Sequence, residues 1–206
     1  MRSARPAILL AGVMALSACG GSAKTYAPAP STTASSTHPA ATTQTTPSAL
    51  QAEATAAAAG DIPDNQTFIV FRNGAGGYSM KYPEGWAQQG SGSQVTIRNN
   101  NNIVRVVVER RAPSSAAEVT RELTNLHGAH VQTGPQQLTI SGAKAFKVVY
   151  TTASAANAVT GKRVTLTVDR YYLAHAGKVA IVDLGSPVGV DNVDAYRLMI
   201  QSFRWT

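Results

Sequence analysis

Residues that could act as nucleophiles or general bases lack the spacing that known catalytic sites require. A catalytic serine on a sharp strand-to-helix turn needs the pattern Gly-x-Ser-x-Gly. Neither residues 90–93 (Gly-Ser-Gly-Ser) nor Gly185-Ser186-Pro187 has this pattern. The carboxylates of the second half of the chain are too scattered to predict an acid–base pair: Glu84, Glu109, Asp169 and Asp183. The sequence therefore predicts that the protein is not an enzyme.

Metal-binding and phosphate-binding patterns are also incomplete. His127 and His130 are separated by a glycine that is expected to end a helix, and no carboxylate or cysteine cluster completes a metal shell around them. Residues 74–77 have the glycine density of a phosphate loop without its lysine, so we expect a turn there. Asp191 and Asp194 suit the first turn of a helix and lack the alternating oxygen ligands of a calcium site. The sequence therefore predicts that the protein binds neither a metal nor a cofactor.

The single cysteine, Cys19, ends an N-terminal segment that is typical of secreted proteins. This segment has a basic start with Arg2 and Arg5, an apolar run at residues 7–16, and small residues before the cysteine. A membrane-spanning helix needs about 20 apolar residues, so the run is too short to cross a bilayer. Residues 1–18 are therefore predicted to be a signal peptide.

The sequence Leu16-Ser17-Ala18-Cys19 resembles the lipobox of bacterial lipoproteins. The resemblance implies that Cys19 becomes the first residue and carries acyl chains such as palmitate. Two or three such chains would hold the protein stably at the extracytoplasmic face of the cell membrane, whereas one alone binds marginally. If the host has an outer membrane, the lipoprotein could instead be transported to that membrane, and the sequence does not decide between the two locations. The alternative is a chance cysteine after an ordinary signal peptide.

Residues 19–60 have the composition of a tether rather than of a folded domain. Of the 41 residues at positions 20–60, 31 are Ala, Thr, Ser or Pro. Such a segment cannot bury enough apolar surface to offset the entropy of ordering it, so we expect a disordered linker. Twelve of the 13 aromatic residues and 25 of the 29 charged residues follow Gly60. Residues 61–206 are therefore predicted to form one globular domain.

Several segments of this domain alternate apolar and polar residues as half-buried strands do. Val104, Val106 and Val108 alternate with Arg105 and Glu109, and this pattern recurs in residues 144–152 and 163–174, which we expect to pair. The alternation predicts an antiparallel sheet with one solvated face. Residues 99–102, all asparagine, are expected to form a hairpin turn. Residues 179–184 are apolar on both faces and predict a central strand.

Two helices interrupt the strands. Ser115 and Glu118 form a capping box before Val119, Leu123 and Leu126, which recur at helical spacing. In the second helix, Asp191 is the expected cap and the apolar stripe is Val193, Tyr196 and Ile200. The predicted fold class is α+β, a twisted, mainly antiparallel sheet with helices packed on its faces.

The segment from Tyr78 to Trp86, Tyr-Ser-Met-Lys-Tyr-Pro-Glu-Gly-Trp, resembles the opening strand and turn of PsbP-like domains. Tyr171-Tyr172 and Gly177-Lys178-Val179 resemble the last hairpin of that family, and residues 196–205 its final helix. The resemblance implies an α/β/α sandwich over about residues 66–206. Proteins with this fold have different functions, so the resemblance does not imply a function for this chain. Tyr78, Tyr82 and Trp86 are weak candidates for ligand binding, and we favour a packing role for their rings.

The net charge of the domain limits the classes of binding partner that we expect. Residues 61–206 carry 15 Lys and Arg against 10 Asp and Glu. Arg105, Arg110 and Arg111 form a small cluster, too sparse for a binding stripe, which we interpret as a solvated strand end. On a membrane-tethered domain, such a balance favours anionic lipids, acidic polymers or an envelope protein over nucleic acid. The first hypothesis is a non-catalytic binding domain. The alternatives are a carrier of a small apolar ligand or lipid and, least favoured, an enzyme; the oligomeric state stays open.

Overall fold

The computed structural model describes residues 59–157 and 159–206. The predicted signal peptide, Cys19 and nearly all of the predicted tether lie outside the described residues. Within the described part of the chain, none of the helices combines the length and apolar character needed to cross a bilayer.

Ten strands and two helices form the described domain. In chain order they are β1 (Phe68–Asn73), β2 (Tyr78–Pro83), β3 (Ala87–Ser91), β4 (Gln94–Asn99), β5 (Asn102–Arg110), α1 (Ala116–Thr124), β6 (His130–Ile140), β7 (Ala143–Ala153), β8 (Thr165–His175), β9 (Lys178–Pro187), α2 (Val193–Gln201) and β10 (Arg204–Trp205).

The strands form two antiparallel sheets. The larger sheet has seven strands in the order β3-β4-β5-β9-β8-β7-β6, and the smaller has three in the order β1-β2-β10. All recorded strand pairs are antiparallel. The prediction of an α+β fold built on an antiparallel sheet is therefore confirmed.

The local predictions for the large sheet are also confirmed. The asparagine run turns β4 into β5, with Asn100 in the left-handed region at φ 51°. Such a turn needs a residue that tolerates positive φ, which asparagine does better than most. Strands β7 and β8 pair as expected, and β9 lies at the centre of the sheet between β5 and β8.

The two helices differ in how their ends are held. Helix α1 has the predicted capping box, since the Ser115 backbone N–H donates to the Glu118 carboxylate and the Glu118 N–H donates to Ser115 Oγ. In α2 the N-cap position is Asn192, whose side chain makes no capping hydrogen bond, and the expected cap, Asp191, accepts a hydrogen bond from the Val193 N–H at 3.3 Å. Val193, expected in the apolar stripe, is exposed. The buried stripe of α2 consists of Tyr196, Met199 and Ile200.

A layer packs on each face of the seven-stranded sheet, complete on one face and partial on the other, so the prediction of one solvated face is wrong and the predicted packing of helices on the sheet is confirmed. On one face, the small sheet and α2 pack on side chains such as Val104, Val106 and Leu184. On the other face, Val119 and Leu123 of α1 pack on residues of β7, β8 and β9. Alternation alone did not reveal this second layer because α1 is only nine residues long and covers part of its face.

A buried amide network holds the start of the described domain in place. Asn192 Oδ1 accepts a hydrogen bond from the Ile62 N–H at 2.8 Å, and Asn192 Nδ2 donates to the Gly60 carbonyl at 3.1 Å. Asn102 Nδ2 donates to the same carbonyl at 2.6 Å. The first residues of the domain are thereby fixed at the start of α2 and of β5.

Replacing Asn192 by alanine should lower the free energy of unfolding by about 1–3 kcal/mol, because the buried Ile62 N–H would lose its acceptor. Urea denaturation measures the loss, and hydrogen exchange at the Ile62 amide should accelerate. The matched control is Asn101→Ala at an exposed turn position, which should leave both measurements unchanged. Equal stability of the two variants would contradict a structural role for the network.

Candidate functional site

The three aromatic candidates lie in the core on the α2 side of the large sheet. Tyr78 is 1% exposed, and its ring stacks on Phe203 with centroids 5.4 Å apart. Burial raises the pKa of Tyr78. Tyr82 and Trp86 are also buried, and Gln88 Nε2 donates a hydrogen bond to Tyr82 Oη. The three rings contribute to packing here, and their role in ligand binding stays a prediction.

The other residues considered at the sequence level lie apart from one another. His127 and His130 are exposed, with Gly128 between them at φ 72° after the end of α1. Residues 74–77 form the turn between β1 and β2. No group of three or more metal-ligating side chains occurs among the residues that the structure describes.

The structure brings together three charged side chains that the sequence did not associate. Arg105 on β5 lies directly opposite Asp183 on β9, and Asp183 lies directly opposite Arg170 on β8. The three side chains therefore form a row across neighbouring strands on the α1 face. We call this row the charge ladder.

Both oxygens of Asp183 are occupied within the charge ladder. The Arg170 Nε–H donates to Oδ1 at 2.6 Å, and Arg170 Nη2 donates to Oδ2 at 3.0 Å. Arg105 donates to Oδ2 from Nε at 3.0 Å and from Nη2 at 2.6 Å. A buried carboxylate requires partners of this kind, since unpaired burial of a charge is costly.

The ladder carries one more positive charge than negative. Asp183 and Arg170 are each 4% exposed, whereas the Arg105 side chain is 37% exposed. Burial lowers the pKa of Arg170, but the hydrogen bonds and charge of Asp183 outweigh this and raise it, so the guanidinium stays protonated. The surplus charge therefore resides on the exposed end of the ladder, at Arg105.

Two tyrosines flank the buried arginine. The Arg170 guanidinium lies over the Tyr150 ring, 5.3 Å from its centroid, in a cation–π arrangement. Burial is the largest cause that raises the pKa of Tyr150 to about 12, followed by the charge of Asp183. Burial also raises the pKa of Tyr172 to about 12. Both hydroxyls are therefore neutral at physiological pH.

A cavity of about 270 Å³ opens beside the ladder. Its polar wall contains Arg105, Arg170 and Asp183, and its apolar wall includes Leu126 and Val168. Residues that follow α1 close one side of it, including His127 and Ala129. A second cavity of about 250 Å³ shares four lining residues with the first: Ile103, Ser154, Ala155 and Leu166. Each cavity alone is slightly smaller than typical ligand sites, which begin at roughly 300 Å³, and the two together are larger than that.

A third cavity, of about 180 Å³, lies at the other end of α1. Pro113 and Ser114, which precede the helix, form one side of this cavity. Its floor is mainly apolar and includes Phe146, Tyr172 and Val179. The short helix thus leaves a cavity on the sheet at each of its ends.

The geometry suits recognition better than reaction. A general base needs a free lone pair that can reach substrate, and Asp183 directs both oxygens at arginines. The cavity instead offers an apolar wall and the partly exposed guanidinium of Arg105. Such a surface can bind a ligand without altering it.

Arg105, Arg110 and Arg111, which we interpret from the sequence as a solvated strand end rather than a binding stripe, do not form one surface. Arg105 belongs to the charge ladder, whereas Arg111 pairs with Glu109 at 2.7 Å and with Glu122 at 3.0 Å. Arg110 is exposed. Strand alternation sends Arg105 and Arg110 to opposite faces, because the side chains of odd and even positions leave a strand on different sides.

Sequence reasoning missed the ladder because its members are 78 and 13 residues apart. One signal was present, since Asp183 interrupts an apolar strand and Arg170 interrupts another. A charge within a strand buried on both faces requires a partner of opposite charge on a neighbouring strand. The register that identifies the partner is a tertiary property.

Replacing Asp183 by asparagine should destabilise the domain by about 3–5 kcal/mol, because Arg170 would stay buried without a counter-charge. Chemical denaturation measures this loss. Arg105→Met should cost less, since Asp183 keeps Arg170 as its partner.

The control for this comparison is Asp169→Asn, which removes one partner of a half-buried pair with Lys147. We expect a loss of about 1 kcal/mol there. If Asp183→Asn is no more destabilising than Asp169→Asn, the ladder does not stabilise the sheet.

Comparison with known proteins identifies the fold. No protein-family model matches the chain, and no curated protein matches it. Among solved structures, cyanobacterial PsbP (CyanoP) from Synechocystis sp. PCC 6803 is similar with a TM-score of 0.51 and 14% identity. The match covers 71% of this chain and 98% of CyanoP.

Two further structures are similar at lower scores. The Ran-binding protein Mog1p of Saccharomyces cerevisiae has a TM-score of 0.46 and 12% identity, over 68% of this chain and 96% of Mog1p. LpqN, involved in cell envelope biogenesis of Mycobacterium tuberculosis, has a TM-score of 0.36 and 16% identity, over 69% of this chain and 86% of LpqN. The likeness to CyanoP shows the fold alone, and the described domain has the α+β fold of PsbP.

Proposed function

We propose that the protein is a lipid-anchored lipoprotein of the cell envelope whose PsbP-like domain binds a partner without catalysing a reaction. The observation that carries the binding role is the cavity beside the charge ladder. This cavity has an apolar wall and a surplus positive charge, while its carboxylate is bonded to two arginines.

The anchor rests on the sequence. Cys19 is the only cysteine, and it follows Leu16-Ser17-Ala18 in the position that lipidation requires. The predicted tether of residues 19–60 would have a root-mean-square span of roughly 35–40 Å as a flexible chain. The domain would then move over the extracytoplasmic face of the membrane while it stays attached.

The proposed occupant of the cavity is part of an envelope protein or another envelope component. Arg105 is the exposed cation at this site, and Leu126 supplies apolar contact area. Arginine beside apolar surface is a frequent composition of interface centres. Photo-crosslinking from position 127, an exposed residue of the cavity wall, identifies the partner when compared with crosslinking from exposed position 110.

Replacing Cys19 by alanine should release the protein from the membrane fraction, because no acyl chain could be attached. Cell fractionation and intact-mass measurement test this. Ser22→Ala, in the predicted tether, is the matched control and should leave the protein membrane-bound with its lipid mass. Recovery of Cys19→Ala in the membrane fraction with unchanged mobility would contradict the anchor.

A second candidate function is carriage of a small apolar ligand. The mainly apolar cavity at the start of α1 favours it, since Phe146, Ala174 and Val179 line a space of about 180 Å³. Carriage of an apolar ligand would not require the exposed charge of Arg105 in the cavity beside the charge ladder.

Native mass spectrometry of the Cys19→Ala protein tests carriage directly, because that protein bears no covalent lipid. A bound apolar molecule should be visible, and Ala174→Phe should displace it by filling the cavity. Ala87→Phe on the exposed strand β3 is the control and should retain it. Absence of any bound mass in repeated preparations would exclude the carrier function.

A further inference from the structure

A basic groove lies on the surface of the small sheet that faces away from the large one. The groove has a volume of about 460 Å³ and lies between β1, β2, β10 and the last turn of α2. Three cations line it, Arg72, Lys81 and Arg204, together with the apolar side chains of Val70 and Leu198. None of its lining residues is acidic. We call it the basic groove.

Strand pairing sets the position of these cations. On β2, Tyr78, Met80 and Tyr82 point into the core, so the intervening position, Lys81, points outward. Lys81 lies opposite Val70 of β1. Arg72 and Arg204 both lie opposite Ser79, one on each side of it. The groove therefore exists only because β10 returns to the sheet formed by β1 and β2.

In the part of the chain that the structure describes, no carboxylate pairs with any of the three cations. Among the described residues, ion pairs involve Arg105, Arg111, Lys147, Arg170 and Arg197, and none involves a cation of the basic groove. Arg204 Nη1 donates to the carbonyls of Gln201 and Phe203 at 2.6 and 2.7 Å, which orients the guanidinium without neutralising it. The groove thus presents three positive charges to the surroundings.

The apolar residues of the groove are exposed beside these charges. Val70 is 49% exposed and Leu198 is 38% exposed. Cations and apolar side chains on one surface are the combination that binds anionic bilayers, in which phosphates attract the charges and the interface accepts the apolar groups. An acidic polymer in water would match the charges and leave the apolar side chains without a partner.

We propose that the basic groove docks the domain on an anionic lipid bilayer, with lipid phosphates between Arg72, Lys81 and Arg204. Val70 and Leu198 would then contact the interface beside the headgroups. The proposal agrees with the proposed membrane location, and its test does not require the lipid anchor. The α1 face, with the charge ladder, would stay available to a partner.

The test uses the full chain with Cys19→Ala, so that any binding comes from the domain. Sedimentation with vesicles of phosphatidylcholine and phosphatidylglycerol in equal parts measures the partition coefficient. The double variant Arg72→Gln/Lys81→Gln should reduce partitioning about 30-fold, since each cation near an anionic surface contributes about 1 kcal/mol. Thermal melting checks that the variant is folded.

The matched control removes two exposed cations elsewhere, through Arg110→Gln and Lys162→Gln. The control has the same net charge as the groove variant, and it should retain most of the binding. Equal loss in both variants would overturn the proposal, because net charge rather than the groove would then explain attachment.

Two further comparisons separate the lipid surface from other anions. Vesicles of phosphatidylcholine alone should bind little, because they offer no net negative charge to the three cations. Soluble polyphosphate should not displace the protein from anionic vesicles, because it offers no apolar interface to Val70 and Leu198. Displacement by polyphosphate, or no binding to anionic vesicles, would overturn the assignment to a bilayer. A failure of the anchor would instead appear in cell fractionation, with vesicle binding unaffected.

Discussion

The fold depends on covering β9 on both faces. This strand is central in the seven-stranded sheet, and its side chains are buried almost throughout. A strand buried on both faces requires a layer of structure on each side. The small sheet and α2 supply one layer, and α1 supplies the other. Since α1 has only nine residues, the second layer is incomplete, and the cavities at the two ends of the helix follow from that.

Burial of β9 also explains the charge ladder. Asp183 lies on the face that α1 covers only in part, and a lone carboxylate there would be costly. Ion pairs with Arg170 and Arg105 on the two neighbouring strands stabilise the charged form of the buried Asp183 carboxylate. Because both of its oxygens accept hydrogen bonds from arginines, the Asp183 carboxylate is not free to act as a general base. The same hydrogen bonds form a rigid polar wall with a cation at its edge. This arrangement supports binding as the role of the cavity.

The two candidate surfaces lie on different layers of the domain. The ladder cavity belongs to the α1 face of the large sheet, and the basic groove belongs to the outer surface of the small sheet. A domain docked through the groove would therefore leave the cavity accessible. The amide network fixes Gly60 near the start of α2, whereas the groove lies at the end of that helix. Gly60 and the proposed docking surface thus lie at opposite ends of α2.

Features that depend only on neighbouring residues were predictable from the sequence. Periodicity predicted β5, β7, β8 and β9, the asparagine run predicted the β4–β5 turn, and the capping box predicted α1, because each is a local preference of the chain. The Leu16–Cys19 motif likewise predicts the anchor. The partners of Asp183 and the grouping of Arg72, Lys81 and Arg204 could not be predicted in this way. These depend on strand register and on contacts between residues up to 132 positions apart, such as Gly60 and Asn192, which no local pattern encodes.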